Sequence, residues 1–294
     1  MKIIVLNQSN IVPDGLNNKM VYNFPNSVPF KNNYIAVSSI TMFYSWFNIS
    51  TALNNNTFSY TWGNSGLTYK ITFPDGLYDI PSINAYFQYI CIQNGTYLIN
   101  GSQYAYYGEF VLNPTRYAVQ FNSYEIPTAL PTGYTAPSNF VGYPTLPSNL
   151  FITITSLFNL IIGFSTAFVS SQNLNNTYVP VPPYQSKDGL GTITYLSTQS
   201  PEVQPNANIL IGISNIENNY AQPNSIIYSI SPDVAVGQQI QDRPPQFMWN
   251  KLLDGTYNQL RVSFFGSDKA PIQIQDPNIT LLLTIREGDE LGIK

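Results

Sequence analysis

Side chains that perform most enzyme chemistry are scarce in this sequence, which has no histidine and one cysteine, Cys91. A histidine-activated nucleophile of the Ser-His-Asp or Cys-His kind therefore cannot form. Zinc sites built on imidazole or on several thiolates are excluded for the same reason. Cys91 falls on the apolar face of a predicted helix, so we interpret it as a small buried hydrophobic residue.

Paired carboxylates are the remaining route to catalysis, because two acids suffice for glycoside hydrolysis. The spacing of the acids selects no pair: Glu287–Glu290 is a solvated tail, and others are scattered through polar loops, namely Asp188, Glu202, Glu217 and Asp233. Asp75 and Asp254 each precede a glycine, a combination typical of turns. Phosphate-binding loops of the GxxxxGK or GxGxxG kind and the EF-hand pattern do not occur. We therefore expect no enzyme activity, no cofactor and no bound metal.

Charge and hydropathy indicate which partners to exclude. Twelve Lys and Arg against sixteen Asp and Glu give a net charge of −4, and the basic residues form no run. Nucleic-acid binders usually carry a basic stripe, so nucleic acid is not expected as a main partner. No stretch approaches the about 20 apolar residues of a membrane helix, and the run at Met1–Leu6 is too short for a secretory signal. We expect no membrane insertion, and synthesis without a secretory signal.

Short alternating runs predict an all-β fold. In Thr57–Trp62 the large rings fall on one face, and in Arg116–Asn122 the Tyr, Val and Phe share one side, which is the period of a half-buried strand. Turn signals such as Pro74-Asp75-Gly76 separate the runs, as in a sandwich or barrel. The predicted strands are Tyr34–Ile40 (continuing toward Phe47), Thr57–Trp62, Leu67–Phe73, Tyr104–Leu112, Arg116–Asn122, Leu150–Thr155, Gly191–Leu196, Asn208–Ile213, Ser225–Ile230, Gln259–Phe265 and Asn278–Ile285.

Two segments are predicted to be helical. In Ile80–Gln93, Asp79 can cap the first turn and Gly95 can end the helix in a left-handed conformation. Its apolar residues recur at spacings of three and four and define one face, which consists of Ile80, Ile83, Phe87, Ile90 and Cys91. A shorter helical turn is predicted over Leu157–Ile162, before a glycine.

Two proline-rich segments, Tyr124–Asn149 and Gln172–Gly189, are predicted as long loops, which are usually functional inside a compact domain. Their aromatic residues are our candidates for a subunit interface: Tyr134, Phe140, Tyr143, Tyr178 and Tyr184. Tyrosine binds well because it is amphipathic and loses little entropy when ordered, so a Tyr-rich surface could also bind carbohydrate. The same rings could instead be core residues together with scattered surface residues.

The C-terminal sequence carries a family resemblance. It reads RPPQFMWNKLLDGTYNQLRV over Arg243–Val262, continues through Phe264-Phe265-Gly266, and ends in DPNITLLLTIR over Asp276–Arg286. Together with PDGLYDI at Pro74–Ile80 and NPTRY at Asn113–Tyr117, it resembles the minor capsid (penton) proteins of virophages and Maverick/Polinton elements. The resemblance extends over most of the chain.

This resemblance implies a jelly-roll capsid protein that forms homopentamers at the five-fold vertices of an icosahedral shell. Its partners would be copies of itself and the major capsid protein of the same virus, and its location the virion. The predicted strands exceed the eight of one jelly roll. We therefore expect a single domain over residues 1–294, with extra strands or an inserted subdomain around 124–189. The alternative is a receptor- or glycan-binding β-sandwich, such as a fibre head or a lectin-like module.

Overall fold

The computed structural model describes residues 1–165, 168–169, 192–203, 208–216, 218, 221, 223 and 225–292. In these residues the strands pair in antiparallel fashion and helices are few, so the predicted all-β class is confirmed. The chain divides into two compact units. Unit 1 comprises Met1–Phe47 and Gln204–Lys294, and unit 2 comprises Asn48–Val203.

The strands in chain order are β1 (Lys2–Leu6), β2 (Lys19–Phe30), β3 (Asn33–Phe43), β4 (Thr57–Thr61), β5 (Thr68–Thr72), β6 (Tyr97–Asn100), β7 (Gln103–Tyr106), β8 (Gly108–Asn113), β9 (Ala118–Ile126), β10 (Tyr134–Thr135), β11 (Ser148–Asn149), β12 (Phe151–Ile154), β13 (Phe168–Val169), β14 (Thr192–Leu196), β15 (Ile209–Ile213), β16 (Ile226–Ile230), β17 (Gln239–Asp242), β18 (Asn250–Lys251), β19 (Gly255–Phe265) and β20 (Thr280–Glu287). The helices are α1 (Ile80–Gln93) and α2 (Phe158–Ile162).

Unit 1 is a jelly roll. One sheet has the strand order β1-β20-β3-β17, with the two-residue β18 also paired to β3, and the other has the order β16-β15-β19-β2. If the eight longer strands of this unit are counted from one to eight along the chain, the sheets read 1-8-3-6 and 5-4-7-2. Strands that alternate between two sheets in this way form the two Greek keys of a jelly roll.

Alternating side chains build the core of unit 1. In β3 the large apolar residues that are buried are Ile35, Val37, Ile40 and Met42, each at most 2% exposed. The step of three between Val37 and Ile40 coincides with a register shift opposite Leu282 and Leu283 in β20. A β-bulge there adds one residue to β3, and it keeps the apolar residues on both sides of the shift facing inward.

Unit 2 encloses an aromatic core between three small sheets and α1. The sheets have the orders β13-β12-β4-β5, β11-β9-β14 with β8 beside β9, and β10-β6-β7. Phe58 lies at the centre, with ring centroids 5.1–6.0 Å from those of four other rings, namely Phe73, Phe87, Phe110 and Phe158. Aromatic rings bury a large area each, so this cluster dominates the packing of the unit.

The helix α1 has the bounds that the sequence predicts. The Asp79 carboxylate accepts a hydrogen bond from the Ser82 N–H at 2.8 Å, which caps the first turn. The predicted apolar face is buried at Ile80, Ile83, Phe87 and Cys91 and half-buried at Ile90. Gly95 ends the helix with φ 66°, and a Cβ there would lie 1.9 Å from the Asn139 carbonyl oxygen. Only glycine both adopts this positive φ without strain and lacks the Cβ that would clash.

Most predicted strands differ from the observed ones at their ends, and in two of them the difference has a clear structural reason. The run Tyr104–Leu112 is divided at Tyr107 into β7 and β8, which belong to different sheets. The run that begins at Arg116 starts as a strand only at Ala118, because Arg116 and Tyr117 form part of the turn between β8 and β9. Tyr117 has φ 48° and is 64% exposed, so its alternation with Val119 and Phe121 is coincidental.

The longest strand that the sequence does not reveal is β2, which contains Pro25 and Pro29. Proline lacks an N–H and is a poor predictor of a strand. Here β2 lies at the edge of its sheet, and its register with β19 shifts between Tyr257 and Gln259. An edge position and a bulge are both places where a sheet tolerates proline.

Unit 2 extends well beyond the 124–189 segment in which the sequence suggests an insertion, since it begins at Asn48 and ends at Val203. The strands from β4 to β8 alternate in the same way as those of the jelly roll. Their pattern therefore does not say to which core they belong. The short helix α2 confirms the predicted turn, and Gly163 ends it at φ 72°. No helix in the described ranges has the length and hydrophobicity needed to cross a membrane.

We expect Phe87→Ala to lower the free energy of unfolding by about 3–5 kcal/mol, because the ring is fully buried among other rings and its removal leaves a cavity. Gln93→Ala is the matched control, since Gln93 is exposed at the end of the same helix. Its cost should stay below about 0.5 kcal/mol. Urea unfolding of both variants measures the difference. Equal losses would show that the helix does not bury this face.

Candidate functional site

The predicted interface rings that the structure describes lie in unit 2, and they pack against the core of their own unit. Tyr134 is 9% exposed, and its hydroxyl oxygen accepts a hydrogen bond from Asn100 Nδ2 at 3.1 Å. Phe140 stands edge-on to Trp62 at 6.3 Å and lies 4.7 Å from the Tyr143 ring. Tyr178 and Tyr184 lie outside the described residues. The structure therefore places three of the five rings, and their contact with another chain stays a prediction.

Tyr143 differs from the other two described rings in the hydrogen bonding of its side chain. Its hydroxyl oxygen is buried and has no hydrogen-bond partner in the described part of the chain. Desolvation raises the pKa of this phenol above its usual value, so the group stays neutral at physiological pH. A buried hydroxyl without a partner costs about 1–3 kcal/mol. An atom that supplies the missing hydrogen bond would therefore be favoured at this position.

The acids that the sequence assigns to turns have that role. Asp75 accepts hydrogen bonds from the backbone N–H of Thr51 at 2.7 Å and from its hydroxyl at 3.0 Å. Asp254 accepts one from the Asn32 N–H at 2.9 Å. Asp188 and Glu217 lie outside the described residues. Within the described ranges, no group of three or more His, Cys, Asp or Glu is arranged to hold a metal ion.

Glu109 is an acid in a polar network that the sequence analysis did not identify. One of its oxygens accepts hydrogen bonds from the Tyr124 hydroxyl at 2.5 Å and from Asn122 Nδ2 at 3.2 Å. Asn122 in turn accepts from Gln120 Nε2 at 2.7 Å and from the Thr194 hydroxyl at 3.1 Å. Neutral donors thus satisfy this carboxylate and join β8, β9 and β14. Its hydrogen bonds connect the strands of one sheet, as expected of a structural group.

Cys91 is as inert as its position in the sequence suggests. It is 1% exposed, and burial raises the pKa of the thiol to about 12. The thiolate is the nucleophilic form of cysteine, and at neutral pH it is almost absent here. Cys91 therefore packs as a small apolar residue of the α1 face.

The most distinctive surface of unit 1 begins at β1, an edge strand of the jelly roll. Ile4 and Leu6 face the core, whereas Ile3 and Val5 are 55% and 50% exposed on the outer face of the sheet. On that face they stand beside Thr284 and Leu282 of β20, their register partners. Exposed branched aliphatic side chains on an edge strand favour association with other chains, and proteins usually avoid them.

This apolar surface continues at the start of β1 into an aromatic cluster. The Arg286 guanidinium lies 3.5 Å from the Met1 sulfur and 5.5 Å above the Trp249 ring. The Phe247 ring is 5.4 Å from that of Trp249, and Met248 is 60% exposed. We call this surface the β1 patch, and it consists of Met1, Ile3, Val5, Phe247, Met248, Trp249 and Arg286.

The composition of the β1 patch is typical of a protein interface. Aromatic residues, Met and Arg are enriched in the buried centres of interfaces, and Trp and Arg are frequent hot spots. The ion pairs among the described residues are Met1 with Glu290 and Lys19 with Asp14, so Arg286 has no carboxylate partner there. The apolar run in Met1–Leu6 and the Phe-Met-Trp triplet are the sequence signals for this patch. In the sequence they are indistinguishable from a strand buried on both faces.

Comparison with known proteins gives structural matches. No family model matches the chain, and no curated protein matches it. The chain is similar to the crystal structure of the selenomethionine-labelled mavirus penton protein, with 12% identity, a TM-score of 0.42, and coverage of 97% of this chain and 99% of that one. It is also similar to a cryo-EM structure of the Sputnik virophage, with 12% identity, a TM-score of 0.35 and 99% coverage of both chains. The first of these matches is named a penton protein, and the second comes from a virophage.

We expect Tyr143→Phe to leave the free energy of unfolding of the isolated chain unchanged or to raise it by up to about 2 kcal/mol, since it removes a buried hydroxyl without a partner. Tyr134→Phe is the matched control, because its hydroxyl accepts a hydrogen bond, and it should cost about 0.5–1.5 kcal/mol. Chemical denaturation measures both. A clear loss in Tyr143→Phe would show that the hydroxyl is already hydrogen-bonded.

Proposed function

We propose that this chain is a structural protein of a viral capsid, of the minor capsid (penton) kind, which forms homopentamers at the five-fold vertices of an icosahedral shell. The major capsid protein of the same virus would surround it in the virion. In this proposal the whole chain acts as one capsid domain, in which the jelly roll of unit 1 carries unit 2 as an insertion between β3 and β15. We attribute no catalytic step to it.

The observation that carries the proposal is the strand order of unit 1. Eight strands in two four-stranded sheets, ordered 1-8-3-6 and 5-4-7-2, define a jelly roll, a fold used by capsid proteins, lectins and cupins. A fold alone does not define a function. The sequence resemblance to penton proteins favours the capsid among these uses. The lack of histidine excludes an enzyme built on an imidazole-bound metal.

The β1 patch supports self-assembly. A closed ring uses two different surfaces of each subunit, one of which contacts the other around the axis. We assign the β1 patch to one side of this contact, with a second copy of the chain as its occupant. Since only 10% of the residues are charged, the opposing surface can be neutral and polar, and the contact forms with little loss of ion hydration.

We expect native mass spectrometry of the purified protein to show a pentamer both at low salt and after exposure to about 0.5–1 M salt. Contacts between apolar and neutral polar groups lose little when the Debye length shortens to about 3 Å at 1 M. A persistent monomer would contradict the vertex assignment. A trimer would also contradict it and would favour a fibre head or a hexon-like capsomer.

We expect Met248→Lys to raise the dissociation constant of the oligomer at least about tenfold, because an unpaired ammonium group must lose its hydration within an apolar contact. Leu53→Lys is the matched control: Leu53 is 49% exposed, against 60% for Met248, and lies in unit 2 outside the patch and outside both predicted interface loops. Both variants should fold, as judged by circular dichroism and thermal unfolding. Sedimentation over a dilution series measures assembly. If both variants assemble equally well, the β1 patch is not part of the contact between subunits.

A further inference from the structure

An open groove of about 720 Å³ lies at the end of the β1-β20-β3-β17 sheet, and residues from all four strand ends line it. Gln8 follows β1, Asn278 and Thr280 lie at the start of β20, Thr41 and Phe43 end β3, and Gln239 begins β17. The volume falls within the range of about 300–1,000 Å³ that is usual for ligand sites.

The sheet register explains why these side chains meet. Thr41 is paired with Thr280, and Phe43 is paired with Gln239. Met42 points into the core and is fully buried, so its neighbours Thr41 and Phe43 face outward on the same side of β3. The floor of the groove is therefore part of a rigid sheet and is formed before any ligand arrives.

The polar lining can both donate and accept hydrogen bonds. Amide side chains carry a carbonyl oxygen and an NH₂ group, and hydroxyls also act in both ways. Four of them, those of Gln8, Thr41, Gln239 and Thr280, form no hydrogen bond within the described chain. Asn278 is already engaged, because its Nδ2 donates to Asp276 at 2.7 Å. The four unengaged groups are consequently available to a ligand.

Phe43 gives the groove an apolar platform. Its side chain is half-buried, and its ring contacts no other aromatic ring in the described chain. The face of an aromatic ring carries partial negative charge and attracts the slightly positive hydrogens of C–H groups. A ligand with one flat C–H face would therefore stack on Phe43 while its edges reach the amides and hydroxyls.

The lining also excludes most ligand classes. It contains no Lys or Arg for an anion and no Asp or Glu for a cation. A purely apolar ligand would leave several amides and hydroxyls buried without partners, which is unfavourable. We infer that the groove binds a neutral carbohydrate, with one sugar ring on Phe43 and its hydroxyls bonded by Gln8, Thr41, Gln239 and Thr280. This activity goes beyond the proposed capsid role and would let an assembled shell attach to a glycan-bearing surface.

Saturation-transfer NMR with three neutral probes, lactose, maltotriose and chitotriose, tests the inference, with sialyllactose as the charged comparison. We expect transfer to at least one neutral probe. For that probe, Phe43→Ala should weaken binding at least about tenfold and Gln239→Ala about threefold to tenfold. Gln275→Ala is the control, since it is exposed in unit 1 and does not line the groove, and it should bind as the unchanged protein does.

Gln239 is exposed, so its variant keeps the test valid even if Phe43→Ala fails to fold. Binding of no neutral probe, binding of sialyllactose alone, or equal binding by Gln239→Ala and Gln275→Ala would overturn the inference. The oligomeric mass is measured on the same samples. A monomer that binds sugar would contradict the capsid assignment and support the sugar-binding groove. A pentamer that binds no sugar would support the capsid assignment and contradict the groove inference.

Discussion

The jelly roll depends on the pairing of β1 with β20. Five consecutive pairs, from Lys2 with Ile285 to Leu6 with Leu281, join the two ends of the sequence, and β20 then pairs with β3 on its other side. Because β20 lies between β1 and β3 in this sheet, its removal would leave β1 without a strand to pair with in the described chain. Such non-local pairing makes folding slow, because the loop entropy is lost before the contacts form. It also places the exposed Ile3 and Val5 at a sheet edge, where the β1 patch lies.

An insertion as long as unit 2 is compatible with this pairing because its own ends are held together. Asn48, 1% exposed, donates two hydrogen bonds of 2.7 Å from Nδ2, one to the Tyr78 carbonyl and one to the Val203 carbonyl. Its Oδ1 accepts from the Tyr78 N–H at 2.9 Å. One buried amide thus joins the first and last residues of the unit. A compact unit with adjacent ends replaces a loop without spreading the strands beside it.

Local features of this fold are predictable from the sequence, and non-local ones are not. The cap at Asp79, the stop at Gly95 and the apolar periodicity of α1 act within a few residues, so both bounds of the helix follow from them. The division of strands between two units depends on which residues meet across the chain, and alternation carries no information about that. The same limit applies to the site. Whether the ring of Tyr134 or of Phe140 faces a core or a neighbouring chain is decided by packing partners far away in sequence.

The β1 patch and the groove of unit 1 share a scarcity of charged residues. This favours contact at both, because removing water from neutral side chains costs less free energy than removing it from ions. The β1 patch and the groove approach each other along β1, where Val5 of the patch is two residues from Asn7 of the groove lining, but their centres are far apart on the sheet. Tyr34, which pairs with Arg286 of the patch, and Phe43, which lines the groove, stand nine residues apart on β3, or about 30 Å at the rise of a strand. A standard interface buries about 800 Å² per partner, a disc of about 16 Å radius. A contact centred on Arg286 and Trp249 therefore ends before it reaches Phe43. Assembly through the patch leaves the Phe43 side of the groove open to solvent, so one sheet can serve both contacts.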